Sequence, residues 1–223
     1  MQTGKNPKPK SNPKKIPSKS YSFEDFIQLQ KPDFELTQPL GEILNFRKSE
    51  RNFSKITLEQ LSSLLWFSAK VKNIKISETD LILTHRTSPS AGAIHPIDIL
   101  VSLPDSFENR FLYYYDPFNH RLNKLILDKA KLESFFFHVN MNLSLSNATL
   151  IWFLADVERT ESKYKNPVSL IWRDAGALIM TIQLVATALE MNSCAIGTLG
   201  EPYISDIFQK YGNYFSAGGI LLG

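Results

Sequence analysis

The chain has 223 residues, 43% hydrophobic and 21% charged, which is ordinary globular composition and enough chain for one sizeable core in one domain. Its formal charge of +3 comes from the first 20 residues, which hold six lysines and no acid; beyond them 22 acidic residues outnumber 19 basic ones, so the body lacks the basic excess of a nucleic-acid binder. A single cysteine, Cys194, excludes an internal disulfide and a cysteine-rich zinc site, and His85, His95, His120 and His138 lack zinc-like spacing.

Residues 1–20 combine those lysines with four prolines. Nothing apolar there offsets ordering entropy, so a disordered basic tail is expected, leaving 21–223 as the folded domain. Such a tail suits RNA, an acidic partner or a membrane surface. A solvated tail is the simpler reading, and no nucleic-acid or membrane partner is expected. The N-terminal charges are not followed by an apolar h-region, and no apolar run reaches the roughly 18 residues needed to span a bilayer. A reducing, cytoplasmic setting is expected.

After the tail, Phe23, Phe26 and Ile27 suggest a short amphipathic piece, and Pro32 and Pro39 break up the stretch beyond it. Leu40 to Phe46 reads as a short helix. Thr57 with Gln60 forms a capping-box pattern opening a helix with Leu58, Leu61, Leu64 and Leu65 on one stripe. Residues 70–85 read as a polar connection. Strands are expected at about 97–103, 110–115 and 121–125. Residues 116–120 form the turn of a hairpin between the last two. Asp128 caps a helix through about 138, and the apolar run 148–155 is a buried central strand. The longest helix, 168–191, is apolar almost all round and is expected to be buried. A strand near 194–199, a helix near 203–211 and a strand at 219–222 close an α+β domain.

Three stretches carry chemistry. Arg47, Ser49 and Arg51 alternate, and two guanidiniums with a hydroxyl can grip a phosphate by forked, charge-assisted hydrogen bonds. A solvated basic turn has the same composition, and Glu50 is an unhelpful neighbour for an anion. Residues 86–96, Arg-Thr-Ser-Pro-Ser-Ala-Gly-Ala-Ile-His-Pro, form a small-residue loop before a strand, which lets backbone approach a flat ligand. Arg86 is a further anionic contact or a loop charge. His95 invites an acid/base role, though a histidine before a proline at a strand start is more often structural. Cys194-Ala195-Ile196-Gly197 is a second small-residue turn; its cysteine reads as a small buried residue rather than a nucleophile. Lys163-Tyr164 precedes the long helix and by itself reads as solvated. There is no Gly-x-Gly-x-x-Gly, P-loop, His-Glu-x-x-His or Gly-x-Ser-x-Gly motif.

Together these stretches resemble the nitroreductase-like flavoprotein family, over roughly residues 40–223. Pro89-Ser90-Ala91-Gly92-Ala93-Ile94-His95-Pro96 is similar to the Pro-Ser-Ala-Gly-Ala-x-His-Pro pattern of its SagB-type azoline dehydrogenase branch. The resemblance implies a central, mainly antiparallel mixed sheet flanked by helices, in a homodimer with a buried long helix and FMN at the interface. It implies that Arg47, Ser49 and Arg51 hold the FMN phosphate and ribityl chain, and that Pro89, Ser90, Ala91 and Gly92 lie along the flavin ring. Ile196 and Gly197 would face flavin N5, and Gln183 would reach the flavin or remain a satisfied core glutamine. The branch also implies a catalytic Lys163-Tyr164 pair ahead of an acidic-Ala-Gly step, here Asp174-Ala175-Gly176. A general base needs a neutral amine, which burial or a neighbouring cation can provide. The chain departs from the branch in a spacing about one residue shorter and in Ala177 for a usual histidine, from the family in Glu190-Met191-Asn192 for a glycine-containing turn, and from many classical nitroreductases in lacking a basic C-terminal residue.

The function implied is FMN-dependent oxidation of a thiazoline or oxazoline ring to thiazole or oxazole, in a peptide or a carrier-bound precursor. A cyclodehydratase or a carrier protein would be the partner. Two other readings stand beside it. One is an NAD(P)H-dependent nitro- or quinone reductase, which needs no Lys-Tyr pair. The other is a scaffold subunit that kept the fold and lost the flavin.

Overall fold

The computed structural model describes residues 5–14, 21–105 and 109–223. Seven strands form one sheet: β2 (Phe23–Gln28), β5 (Ile97–Ser102), β6 (Tyr113–Asp116), β7 (Arg121–Leu125), β8 (Thr149–Asp156), β10 (Ser193–Ile196) and β11 (Tyr214–Leu222). Their order is β10-β11-β8-β5-β6-β7-β2. The central sheet flanked by helices is as expected, and the mainly antiparallel pairing is antiparallel at every described pair.

β8 is the spine of the core and is buried at all eight positions. Ile151, Phe153 and Ala155 pack into one apolar cluster, while Leu150, Trp152 and Leu154 pack into the other. A strand covered on both faces has no polar side to present, which is why 149–155 reads as a continuous apolar run. Helices α2 (Leu58–Ala69) and α5 (Val168–Ala188) cover the first face; α3 (Lys129–Asn142) and α6 (Tyr203–Phe208) cover the second. The capping box opens α2 as expected: the Gln60 N–H donates to Thr57 Oγ1 at 3.1 Å and the Thr57 N–H to Gln60 Oε1 at 2.8 Å. Short helix α1 (Leu40–Phe46) has no buried residue.

Three expectations are corrected. Residues 70–85 are not a polar connection but a hairpin of β3 (Asn73–Ile76) and β4 (Ile82–His85). Its outward side chains are mixed in polarity, so period-two alternation is weak there. Part of the expected disordered tail is ordered: β1 (Lys8–Pro9) pairs antiparallel with β9 (Tyr164–Lys165), which comes after short helix α4 (Val157–Glu161). Main-chain hydrogen bonds to an open strand edge need no apolar side chains, so composition does not reveal them. Finally, α5 is buried on one face only, with Trp172 and Met180 about 40% exposed. It is the one described helix long and apolar enough to cross a membrane by length and composition. It packs on α2 and on β5, β10 and β11.

Two glycines make room for Trp152. A Cβ at Gly219 would lie 2.5 Å from the Trp152 ring and 2.8 Å from the Ile151 carbonyl oxygen; one at Gly200 would lie 2.7 Å from the ring's other edge. The indole N–H donates to Ser216 Oγ at 2.9 Å, which fixes the ring in place. Gly219→Ala is therefore expected to lower unfolding stability by roughly 1–3 kcal/mol through overpacking, a loss readable in urea denaturation.

A buried relay joins α2 to the β6–β7 turn. Ser62 donates to the Gln30 carbonyl, so its Oγ accepts from His120 Nε2 at 3.0 Å, and the Tyr115 hydroxyl donates to His120 Nδ1 at 2.8 Å. Burial lowers the His120 pKa from 6.5 to about 4. Burial, with the Arg86 cation nearby, does the same to His95. A depressed histidine pKa contributes stability that is present above 6.5 and is lost as pH falls through about 4. Each histidine's share is on the order of 2–3 kcal/mol. Denaturation midpoints should fall between pH 7 and pH 4.5, and His120→Gln should flatten part of that slope.

Candidate active site

The loop between β4 and β5 is shaped by left-handed backbone. Gly92, Ala93 and His95 have φ of 63°, 60° and 48°, conformations that cost a non-glycine residue unless its surroundings impose them. The imposing groups come from α5. Asp174, buried near its start, accepts from the Ser90 hydroxyl at 2.5 Å and from the Ala91 N–H at 3.0 Å. Ser90 Oγ in turn accepts the His95 N–H at 2.9 Å. Burial raises the Asp174 pKa, against the lowering effect of those donors.

His95 is 7% exposed, and its Nε2 donates to the Thr84 carbonyl at 3.0 Å. With its pKa lowered to about 4 it is a neutral structural group. The Arg159 guanidinium donates to the His95 carbonyl at 3.1 Å and pairs with buried Asp98 at 2.9 Å and with Asp156 at 3.5 Å. Tyr21 donates to the other Asp98 oxygen at 2.7 Å. Burial opposes the Arg159 charge, but Asp98 and Asp156 outweigh it and hold its pKa above the ordinary value. Arg86, the first residue of the loop, lines a small pocket with Pro89, Ser90, His95 and Asp174; burial lowers its pKa to about 10, so it keeps its charge at neutral pH.

Lys163 and Tyr164 come directly against this loop. Lys163 Nζ donates to the Gly92 carbonyl at 3.2 Å. A Cβ on Gly92 would sit 2.8 Å from the Tyr164 hydroxyl and 2.9 Å from Lys163 Nζ, so only glycine allows this approach. Two stretches about 70 residues apart in sequence thus meet at one point.

The remaining candidates, Gln183 apart, lie elsewhere. Arg47 is the C-cap of α1. The Glu50 N–H donates to the Ser193 carbonyl at 3.0 Å, and the Asn192 side chain donates to the Asn52 carbonyl at 2.7 Å. These bonds bring residues 50–52 alongside the start of β10. Glu50 itself pairs with Lys48 at 2.5 Å, so its charge is already partnered. An open cleft of about 400 Å³ is lined by Arg51, Ile196, Gly197 and Thr198, with Asn142 and Leu143 opposite. Arg51, Ser49 and Gly197 are exposed and Arg47 is half-buried. A Cβ on Gly197 would meet nothing within 4 Å, so the backbone there is open to a ligand. Cys194 is buried, consistent with a packing role. Gln183 is buried on α5 and joins neither group; it lies nine residues beyond Asp174, roughly 13 Å along the helix.

The two groups are far apart within one chain. β10 and β5 are separated by β11 and β8, three strand spacings or about 14 Å. Through Ala155, Ile97 aligns with Phe215, whereas Ile196 aligns with Gly219, a further ~13 Å along the strands. Sequence reasoning missed Arg159 and the loop-holding role of Asp174. A signal existed for the first: Asp98 is a lone acid in the apolar strand Ile97-Asp98-Ile99-Leu100, and a buried charge needs a partner. No group of His, Cys, Asp and Glu suited to a metal occurs among the described residues.

Residues 44–223 match the model of the nitroreductase family. A Methanocaldococcus jannaschii protein bearing the nitroreductase name is 25% identical over 190 residues, covering 83% of this chain and 91% of that protein. Three solved structures share the fold. One from Ralstonia eutropha, also named a nitroreductase, gives a TM-score of 0.66 at 23% identity and covers 95% of this chain and 96% of that one. One from Desulfovibrio desulfuricans, in complex with FMN, gives 0.54 at 16% identity, covering 83% and 86%. A chain of the Escherichia coli microcin synthetase complex, with truncated pro-MccB17 bound, gives 0.56 at 15% identity, covering 87% and 76%.

Proposed function

The chain belongs to the nitroreductase family, and from that premise we propose that it is an FMN-dependent oxidoreductase that oxidises azoline rings in a peptide or a carrier-bound precursor. The observation that carries the finer part is the contact of Lys163 and Tyr164 with Gly92. A nitro or quinone reduction needs no base at that point, whereas dehydrogenating the carbon–carbon bond between C4 and C5 of an azoline ring needs one to take the proton while the hydride leaves from the other carbon. The microcin synthetase relative acts in a complex that holds a precursor peptide, which supports a peptide-linked substrate here.

The residues fit FMN. Arg47, Ser49 and Arg51 would hold its phosphate by charge-assisted hydrogen bonds, and the pairing of Glu50 with Lys48 removes the repulsion that a free carboxylate would exert. The open backbone at Gly197 and the cleft beside it would receive the ring. FMN supplies the acceptance of a hydride; the chain's own residues bind it, orient the substrate and move the proton. Lys163 or Tyr164 removes the proton from the azoline ring carbon. Asp174, through Ser90 and Ala91, holds the loop against which Lys163 rests.

A second copy of the chain completes the site. The loop group and the phosphate group are too far apart in one chain to serve one flavin ring. α5 also presents exposed Gly176 and Met180, and a Cβ on Gly176 would meet nothing within 4 Å. Glycine inside a helix costs about 1 kcal/mol relative to alanine, with no compensating contact inside this chain. Close approach of a second α5 supplies that contact and brings the partner copy's loop to this chain's cleft. The visible spectrum of the purified protein tests the cofactor: an oxidised-flavin spectrum near one FMN per chain is expected. A chain that stays colourless after FMN is added would be a scaffold instead. Conversion of a thiazoline peptide to a thiazole, with flavin bleaching under anaerobic conditions, tests the activity.

A further inference from the structure

The ordered part of the N-terminal segment lies on the main chain of the candidate catalytic pair. Lys8 is directly opposite Lys165 and Pro9 opposite Tyr164. The Lys10 N–H donates to the Lys163 carbonyl at 2.8 Å, the Lys14 N–H to the Ser162 carbonyl at 3.1 Å, and the Asn166 side chain to the Asn6 carbonyl at 3.2 Å. The segment therefore runs as an added strand past the point where Lys163 meets Gly92.

It is a poor occupant of that edge. Like charges directly opposite in an antiparallel pair are destabilising, and the pairing sets Lys8 against Lys165 and Lys10 beside Lys163. Pro7, Pro9 and Pro13 have no N–H to donate to a ladder. The edge offers main-chain acceptors and the Lys165 ammonium, and its resident strand meets them with ammonium groups and prolines.

We propose that the 162–166 edge is the docking edge for an extended, acidic peptide segment of the substrate, and that residues 5–14 are a weakly held strap occupying it until that peptide arrives. The inference rests on the peptide-linked substrate of the proposed function. Strand addition would supply main-chain hydrogen bonds, and a carboxylate opposite Lys165 would supply the charge match that the strap lacks. The peptide would then run past Gly92, where the proposed base sits.

The test uses the full chain and a fluorescein-labelled peptide of alternating Glu and Val, with its Lys-Val counterpart as control. By fluorescence anisotropy at low salt the Glu-Val peptide is expected to bind roughly three- to tenfold tighter. Lys8→Glu turns the repelling pair into an attracting one. It should slow hydrogen exchange of the Lys10 amide and weaken Glu-Val binding by roughly threefold or more. Equal binding of the two peptides would overturn the proposal, as would Lys8→Glu leaving exchange and affinity unchanged. Both readouts are independent of turnover. A protein that binds peptide this way yet oxidises no azoline leaves the docking edge standing and removes the dehydrogenase reading.

Discussion

Lys163→Ala is expected to lower the rate of azoline oxidation by roughly 10²–10⁴-fold, the range for removal of a general base, while the bound FMN per chain stays near the wild-type value. The two effects separate because Lys163 belongs to the loop group and lines no part of the cleft that holds Arg51 and Gly197. Lys163 also donates to the Gly92 carbonyl, so an alanine removes a loop contact as well as a base. Lys163→Gln separates these, since its amide can donate to the same carbonyl but cannot take a proton. If Gln restores the rate, the residue positions the loop; if Gln is as slow as Ala, it is the base. Tyr164→Phe keeps the ring against Gly92 and removes only the hydroxyl, dividing proton removal between the pair. Reduction of a nitroaromatic by the same variants is the internal control. Undiminished nitro reduction with lost azoline oxidation is the expected pattern; unchanged rates for both would remove Lys163 and Tyr164 from the proton transfer, and nitro reduction by a wild-type protein that oxidises no azoline would make it a plain reductase.

The second large effect is expected from α5. Gly176→Leu with Met180→Glu should convert the protein to monomers and abolish stoichiometric flavin binding at the same time. Both positions are exposed in the single chain, and the space at Gly176 is open, so neither change disturbs the chain's own core. Leucine is also the better helix former, by about 0.5–1 kcal/mol, so the far-ultraviolet circular dichroism should keep its helical signal. In the proposed dimer the side chains would instead enter the interface, where leucine would hold the two helices apart and an unpaired glutamate would have to be desolvated. Sedimentation velocity reads the assembly, and absorbance of the eluted protein reads the flavin. Monomers that still bind one FMN per chain would show that a single copy holds the whole site.

The sequence carried more of the local structure than of the site. The Thr57–Gln60 capping box, the 116–120 turn and the apolar 149–155 run rest on interactions within a few residues, or on burial of both strand faces, and these leave a mark in composition. The β3–β4 hairpin left none, because it is two-stranded and its inward face is small. The one-sided burial of α5 was also illegible: an apolar stripe reads alike whether it faces this chain's sheet or another chain.

At the site, the loop 89–92, the Arg47–Ser49–Arg51 alternation and the Ile196-Gly197 turn were legible as motifs, because the chemistry of close backbone approach and anion binding restricts residue type. Which of them share a place was decided only by the tertiary structure. Sheet order separates β10 from β5 by two strands and so divides the candidates into two groups, whereas Gly92 admits Lys163 and Tyr164 from about 70 residues away. The strap was the least legible part of all. A strand held by main-chain hydrogen bonds draws no side-chain pattern, and its lysines and prolines argued for disorder. The sequence by itself determined the kinds of residue that chemistry here can use; tertiary structure alone decided which of them meet, because strand order and helix length set distances that no local pattern encodes.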